Sequence, residues 1–185
     1  MKENVSVVFQ QYVNYLELRG LSERTKERYL IELKRILRYC FKNDVKYIVE
    51  FDSSFIVAYA DYLQGLNLSL KSMKLSISVL RSFLDFGEDN KYILCNPFDK
   101  FSVFLTGEVK ERKVFSEEQV QLFLESIEMD DFIHVRDRSL FELMYGCGIR
   151  VNEAVNLNIN DVDFDHNEVL ILHGKGDKER IVPLC

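Results

Sequence analysis

The sequence predicts a mainly α-helical protein in two parts: a four-helix domain, then a smaller α+β part that contains a β-hairpin. Apolar residues recur at helical spacing through about the first hundred residues. After Asp163 the apolar period changes to two, as in β-strands. With 47% apolar residues, 29% charged residues and only two prolines, the chain has the composition of a core-forming protein.

The first two helices have clear sequence boundaries. An apolar stripe that begins at Val5 predicts a helix to about Arg19, ended by Gly20. Ser22 is a suitable N-cap for a second helix over residues 23–42. One face of this second helix is apolar, and a separate face carries five cations: Arg24, Arg28, Arg35, Arg38 and Lys42.

Two more helices complete the first part. Asp52 can cap a third helix to about Gln64, and Ser69 can cap a fourth to about Phe86. The fourth helix places apolar side chains on one face, and its other face carries Lys71, Lys74, Ser78 and Arg81. A basic helix face is usually only solvated. The alternative is that the second and fourth helices lie against phosphates.

The domain boundary is predicted from a change in patterning. The stretch "NPFDKFSVFLTGEVKERKVF" has no clear period and contains a run of mixed charges, which is typical of a linker. We expect a helical domain over residues 1–107, the end of the linker over 108–115 and the second domain over 116–185. Residues 1–107 carry 15 Lys and Arg against 13 Asp and Glu, and residues 108–185 carry 9 against 17. The first domain is therefore the mildly basic one.

The second part reads as helices followed by a hairpin. Ser116 and Gln119 form a capping-box pattern for a helix to about Ile127. The remaining predicted elements are a helix over about 135–146, a short helix after Gly148 to about Leu157, and strands over Glu168–His173 and Glu179–Leu184. We expect Val169 and Ile171 on the first strand, and Ile181 and Leu184 on the second, to form the apolar faces of the hairpin.

Several classes of function are disfavoured by composition. The four cysteines show no CxxC spacing and the three histidines no ligand pattern, so we expect neither a metal site nor a disulfide framework. No apolar run approaches the roughly 20 residues of a membrane span. We therefore expect a protein of the reducing cytoplasm with no membrane partner. The net charge of −6 is a weak argument against a nucleic-acid partner, because phosphate binding depends on local patches.

Two motifs in the second part resemble those of the tyrosine recombinases, the family of phage integrases and Xer-type site-specific recombinases. They are "GCGIRVNEAVNLNINDVDF" and "LILHGKGDKERIVPL". The family pattern reads T-G-L-R-x-S-E-L, then D-I-D, then G-K-G-x-K-x-R-x-V-P-L. The matching residues are Gly148, Arg150, Glu153, Asp161, Asp163, Gly174, Lys175, Gly176, Lys178, Arg180, Val182, Pro183 and Leu184. Cys147, Ile149 and Asn152 are mild departures. The helix "SLKSMKLSISVLRSFLDF" and the "NPF" after it are also similar to the family.

The resemblance implies an N-terminal SAM-like core-binding domain and the first part of a mixed α+β catalytic domain. It implies that Arg150 binds the scissile phosphate, that Glu153 sits beside this arginine, and that Lys175 protonates the leaving 5′-hydroxyl. No metal or nucleotide cofactor is expected. The expected partners are a double-stranded DNA recombination site and other recombinase protomers in a tetramer. The expected location is the cytoplasm, with the protein encoded by a bacterium or a phage. The candidate DNA-binding cations are Arg24, Arg28, Lys71, Lys74 and Arg81.

Family members cleave DNA through a 3′-phosphotyrosine, and this sequence has no tyrosine after Arg150 and no His-x-x-Arg motif there. We therefore expect a C-terminally truncated member that does not cleave DNA by itself. Two alternatives stay open. One is a naturally truncated relative that binds DNA without cutting it. The other is a helical interaction protein with no role on DNA, favoured only by the acidic balance.

Overall fold

The computed structural model describes residues 2–100, 102–103, 105–107, 113–172, 174 and 178–184. It divides into two compact units, Met1–Glu111 and Arg112–Cys185. The mainly α fold class with a small antiparallel sheet is confirmed. Among the described residues, no helix is long and apolar enough to cross a membrane.

The first unit contains the four predicted helices. Each N-cap expected from the sequence is formed: the side chains of Ser22, Asp52 and Ser69 accept hydrogen bonds from backbone amides of the first turn. The fourth helix continues three residues beyond its predicted end. The bounds are α1 Val5–Leu18, α2 Glu23–Lys42, α3 Ser53–Gly65 and α4 Leu70–Asp89.

α4 is the central helix of this unit, because it packs against α1, α2 and α3. The core is rich in aromatic rings, and Phe9 and Phe83 stack with centroids 4.2 Å apart. Two tyrosine hydroxyls in the core find partners on α4. Tyr12 donates to Ser82 at 2.8 Å, and the hydroxyls of Tyr59 and Ser76 are 2.7 Å apart. These polar pairs satisfy groups that would be costly to bury alone.

The segment after α4 begins as a packed part of the first unit, not as a free linker. The Asn96 side chain is buried and donates to Asp85 on α4, while its oxygen accepts from the backbone of Phe98. Phe98 is also buried, in a 3₁₀ turn over Pro97–Asp99. The sequence missed this anchoring because the apolar residues here follow neither helical nor strand periodicity.

Among its described residues, the second unit has three α-helices before its sheet. Ser116 and Gln119 form the predicted capping box. The second helix starts three residues earlier than predicted, because Asp131 caps it by accepting from the amide of His134. The third ends at Ala154, before the predicted end near Leu157. The bounds are α5 Glu117–Glu125, α6 Phe132–Gly146 and α7 Val151–Ala154.

The predicted hairpin is part of a three-stranded antiparallel sheet in the order β1-β2-β3. The strands are β1 Val162–Asp163, β2 Glu168–Ile171 and β3 Arg180–Pro183. The short β1, which pairs with β2, was not predicted. The expectation that Ile181 belongs to the buried face is wrong. Ile181 is exposed, because strict alternation places its neighbours Arg180 and Val182 opposite the buried Ile171 and Val169.

The core of the second unit is small. Its buried apolar residues are Ile149, Ala154, Val169 and Ile171, with half-buried side chains of α6 and β3 packed around them. No residue of α5 or α6 is buried among those that the structure describes. This core therefore joins the start of α7 directly to the inner face of the β2–β3 pair.

Candidate functional site

Arg150 is the first residue of the site, and the backbone before it fixes its position. α6 ends at Gly146, and Gly148 turns the chain in the left-handed region with φ of 64°. Ile149 is then buried in the core, and Arg150 becomes the N-cap of α7. Its side chain is 59% exposed. A buried neighbour and a helix start therefore hold an arginine whose guanidinium faces solvent.

Glu153 lies one turn further along α7 and is almost completely buried, with a side chain 3% exposed. Its Oε2 accepts from the Arg150 backbone amide at 2.8 Å, and its Oε1 accepts from one Arg150 guanidinium nitrogen, also at 2.8 Å. The three-residue spacing predicted this pairing. Through its contact with the Arg150 backbone amide, the same carboxylate also caps the start of α7.

Arg180 is the second cation on Glu153, and its part in the site was not foreseen. It donates one N–H to each carboxylate oxygen, at 2.9 and 2.7 Å, in a two-pronged pair across 27 residues of sequence. The register explains this contact, because Arg180 stands opposite the buried Ile171. Strand alternation could have predicted this contact, because it places Arg180 on the same face of β3 as Val182.

The site carries a net positive charge. Two arginines share one carboxylate, and hydrogen bonds from Arg180 and from the Arg150 amide hold the pKa of Glu153 far below its usual range. Glu153 is therefore ionised at neutral pH. One guanidinium N–H of Arg150 is occupied by Glu153, and no other acceptor for this guanidinium lies among the described residues. Arg150 can thus offer its remaining donors to an anion.

Gly174, which follows β2 in sequence, lies close to this cluster. Its amide donates to the Lys178 carbonyl at 3.2 Å. A Cβ at this position would stand 2.5 Å from that carbonyl oxygen and 3.0 Å from an Arg180 guanidinium nitrogen. Only glycine fits without movement. Lys175, the predicted general acid, follows directly in sequence but lies outside the described residues, as does Gly176.

The candidate DNA-binding cations lie on the first unit. Arg24 and Arg28 on α2, and Lys71 and Lys74 on α4, are exposed, and none forms an ion pair with the part of the chain that the structure describes. Arg81 is exposed too, with its guanidinium carbon 4.9 Å from the Phe98 ring centroid. These cations are available to a partner.

Arg35 differs from its predicted neighbours on the basic face of α2. It is half-buried and paired with the buried Glu32, so its charge is already neutralised. Helical spacing placed Arg35 correctly on the stripe, but it could not show that a buried glutamate lies three residues before it.

One cluster of possible metal ligands was not predicted. Asp130, Asp131 and His134 place ligand atoms within 4.8 Å of one another at the start of α6. All three are exposed, and their contacts have a structural purpose. Asp131 caps α6, and Asp130 pairs with the imidazole of His134 at 2.5 Å. This pairing raises the pKa of His134 above its ordinary value.

Two family profiles match the chain in the order of its two units. The profile of the phage integrase N-terminal SAM-like domain matches residues 9–91, and that of the phage integrase family matches residues 113–185. The second match contains Arg150, Glu153 and Arg180. The chain belongs to the phage integrase family of tyrosine recombinases.

Its curated relatives include Xer recombinases. The chain is 33% identical over 183 residues to tyrosine recombinase XerC of Proteus mirabilis, a match that covers 98% of this chain and 59% of the relative. It is 32% identical over 184 residues to XerD of Staphylococcus epidermidis, covering 97% and 61%. This tyrosine recombinase chain thus spans about 60% of the length of the relatives it matches.

Solved structures share the fold. A lambda integrase tetramer bound to a Holliday junction superposes with a TM-score of 0.78 at 17% identity, covering 98% of this chain and 51% of the other. The Tn1549 transposon integrase with a circular intermediate DNA gives a TM-score of 0.70 at 20% identity, covering 96% and 61%. Identities this low show that the recombinase fold is shared, and no more.

Proposed function

We propose that the protein acts in site-specific DNA recombination, as part of a tyrosine recombinase that binds a double-stranded recombination site. The observation that carries this proposal is the exposed Arg150 guanidinium, held by a buried carboxylate inside the segment that matches the family. The remaining N–H donors of this guanidinium are open to solvent, where a phosphate could reach them.

Arg150 suits a phosphate ligand for chemical reasons. Phosphoryl transfer accumulates negative charge on the non-bridging oxygens, and a planar, always-charged guanidinium can bind two of them. Glu153 fixes the guanidinium before the phosphate arrives, so no ordering is needed at the moment of reaction. Arg150 is therefore the proposed ligand of the scissile phosphate, and Glu153 is its positioning residue.

Lys175 is the proposed general acid. In the reaction, a tyrosine oxygen attacks the scissile phosphorus, the bond to the 5′-oxygen breaks, and a 3′-phosphotyrosine forms. Lys175 would give a proton to the departing 5′-oxygen, a role that contributes about 10²–10⁴-fold in rate. All nine tyrosines of this sequence precede Arg150. The function proposed for these 185 residues is accordingly phosphate binding and proton donation, with no metal or nucleotide cofactor.

The first unit supplies the proposed affinity for duplex DNA. Exposed cations on two helices can contact phosphates without reading the bases, which sets position on DNA and makes binding depend on salt. The residues are Arg24, Arg28, Lys71, Lys74 and Arg81. Further recombinase protomers are the proposed protein partners, and the proposed location is the cytoplasm, with the protein encoded by a bacterium or a phage.

A salt titration of duplex binding tests this assignment. Fluorescence anisotropy gives the dissociation constant of the 185-residue chain for a labelled duplex at several salt concentrations. If Lys71 and Lys74 each contact a phosphate, changing both to glutamate makes the negative slope of log affinity against log salt shallower by about 1.8. Weaker binding of roughly tenfold or more is expected at low salt.

Lys91→Glu with Lys100→Glu is the matched control. Both lysines are exposed and lie beyond the end of α4, so the variant changes total charge equally without touching the basic face. We expect it to bind almost as the parent does. Equal weakening by the two pairs would show a nonspecific charge effect. No duplex binding by the parent chain at low salt would favour a helical interaction protein instead.

A further inference from the structure

Arg180 is a charged residue of the site to which the proposed chemistry assigns no role. It approaches Glu153 from β3, while Arg150 approaches from the start of α7. Together they place four N–H donors on one carboxylate, two from Arg180, one from the Arg150 side chain and one from the Arg150 backbone. Both carboxylate oxygens are therefore fully used.

The two arginines share Glu153 unequally. Arg180 makes the two-pronged contact and its side chain is 35% exposed, whereas Arg150 gives one guanidinium N–H and is 59% exposed. The two-pronged geometry is the stronger and more directional of the two. Arg180 thus provides most of the charge compensation for Glu153, and Arg150 is oriented without being enclosed.

We propose that Arg180 is a positioning residue, which neutralises Glu153 so that this carboxylate orients Arg150 without capturing its guanidinium. The inference rests on the proposed function, because it takes Arg150 as the phosphate ligand. It adds Arg180, which lies on β3, to Arg150 and Glu153 as a third residue of the site.

The charge count explains why Arg180 matters. With both arginines present, the cluster has a net charge of +1, and that charge is located at the exposed Arg150. Without Arg180 the net charge is zero, and the nearly buried carboxylate has a single cation beside it. Removing one partner of a buried ion pair leaves an uncompensated charge, so Glu153 would attract the guanidinium of Arg150 more strongly. Arg150 then closes onto Glu153 in place of a phosphate.

Gly174 supports the same assignment. Its backbone lies so close to Arg180 that an added Cβ would be 3.0 Å from the guanidinium and 3.7 Å from a Glu153 oxygen. Gly174, which directly precedes Lys175 in sequence, therefore lies against the Arg180–Glu153 pair. Arg180 contacts Glu153, which holds the proposed phosphate ligand Arg150. It also lies beside Gly174, which precedes the proposed acid Lys175 in sequence.

A double-mutant cycle on duplex binding separates this role from a merely structural one. The four proteins are the parent chain, Arg150→Ala, Arg180→Gln and the double variant, each titrated with a labelled duplex of about 30 base pairs at low salt. We expect Arg150→Ala to weaken binding about tenfold. We expect Arg180→Gln to weaken it by roughly threefold to tenfold when Arg150 is present, and not further when Arg150 is absent.

The outcomes are distinguishable. If Arg150→Ala changes nothing, the proposed function of Arg150 fails. If Arg150→Ala weakens binding but Arg180→Gln weakens it equally in both backgrounds, or not at all, the positioning role is overturned and the phosphate role stands. Arg180→Lys covers the case in which the glutamine variant does not fold. It keeps the charge, loses the two-pronged contact and should lose part of the Arg150-dependent affinity; unchanged affinity in this variant also overturns the inference.

Discussion

Replacing Gly174 with alanine perturbs the site through one methyl group. The new Cβ would stand 2.5 Å from the Lys178 carbonyl oxygen, where ordinary contact begins near 3.4 Å. Relief requires the two backbones to separate by about 0.9 Å. The Gly174 amide already donates to this same carbonyl at 3.2 Å, so the separation breaks that hydrogen bond.

The expected destabilisation has two sources. Together, the extra carbon forced into a packed place and the lost turn hydrogen bond cost about 1–3 kcal/mol. The carbonyl belongs to backbone and cannot rotate away as a flexible side chain would. The damage should be local to β2, β3 and the Arg180 contact, with the first unit unaffected.

Amide hydrogen exchange measures this locally. We expect amides of β2 and β3 in Gly174→Ala to exchange about tenfold to a hundredfold faster than in the parent, with no change in α1–α4. Gly148→Ala is a comparison variant with a different source of cost. Nothing lies within 4 Å of its added Cβ, so its expected cost of about 1–2 kcal/mol comes from the left-handed φ of 64° alone. Gly65→Ala, at the end of α3 with open space, should be neutral or slightly stabilising. Unchanged exchange in Gly174→Ala would refute the close-approach argument.

Two further predictions concern the core and the pH dependence. Tyr59→Phe should lower the free energy of unfolding of the first unit by about 1–3 kcal/mol in urea titrations, because it leaves the buried Ser76 hydroxyl without its partner. A cost no larger than that of Tyr62→Phe, whose hydroxyl has no hydrogen-bond partner among the described residues, would contradict this. Since the folded-state pKa of Glu153 is lowered from an ordinary value of 4.5, its stabilisation is present above that value and is lost as the pH falls below it. Glu153→Gln should remove this part of the acid sensitivity of the second unit, and an identical pH profile for the two proteins would count against the ion pair.

The helical unit was predictable because its signals are local. A serine or aspartate before an apolar stripe predicts a helix start, and the caps formed by Ser22, Asp52 and Ser69 follow that rule. The contacts of Asn96 and the pair formed by Arg35 and Glu32 were not predictable in this way. Each depends on a neighbour whose burial is decided by packing of the whole unit.

The candidate site was predicted in part. The spacing of Arg150 and Glu153 along one helix turn indicated their contact, because one helix decides it. Arg180 required the register of β3, and the assignment of Ile181 to the buried face shows how a one-residue error in strand phase hides such a residue. Strict alternation from the motif valine and leucine would have placed the arginine inside, next to a buried carboxylate.

The central claim is that Arg150 is held ready to bind a DNA phosphate. Its most direct test is the salt dependence of duplex binding by the parent chain and by Arg150→Ala, with Arg138→Ala, a half-buried arginine paired with Glu142, as the control. The account predicts that Arg150→Ala makes the negative slope of log affinity against log salt shallower by about 0.9, the value of one phosphate contact. Arg138→Ala should leave the slope unchanged. Identical slopes for the parent and Arg150→Ala would contradict the claim.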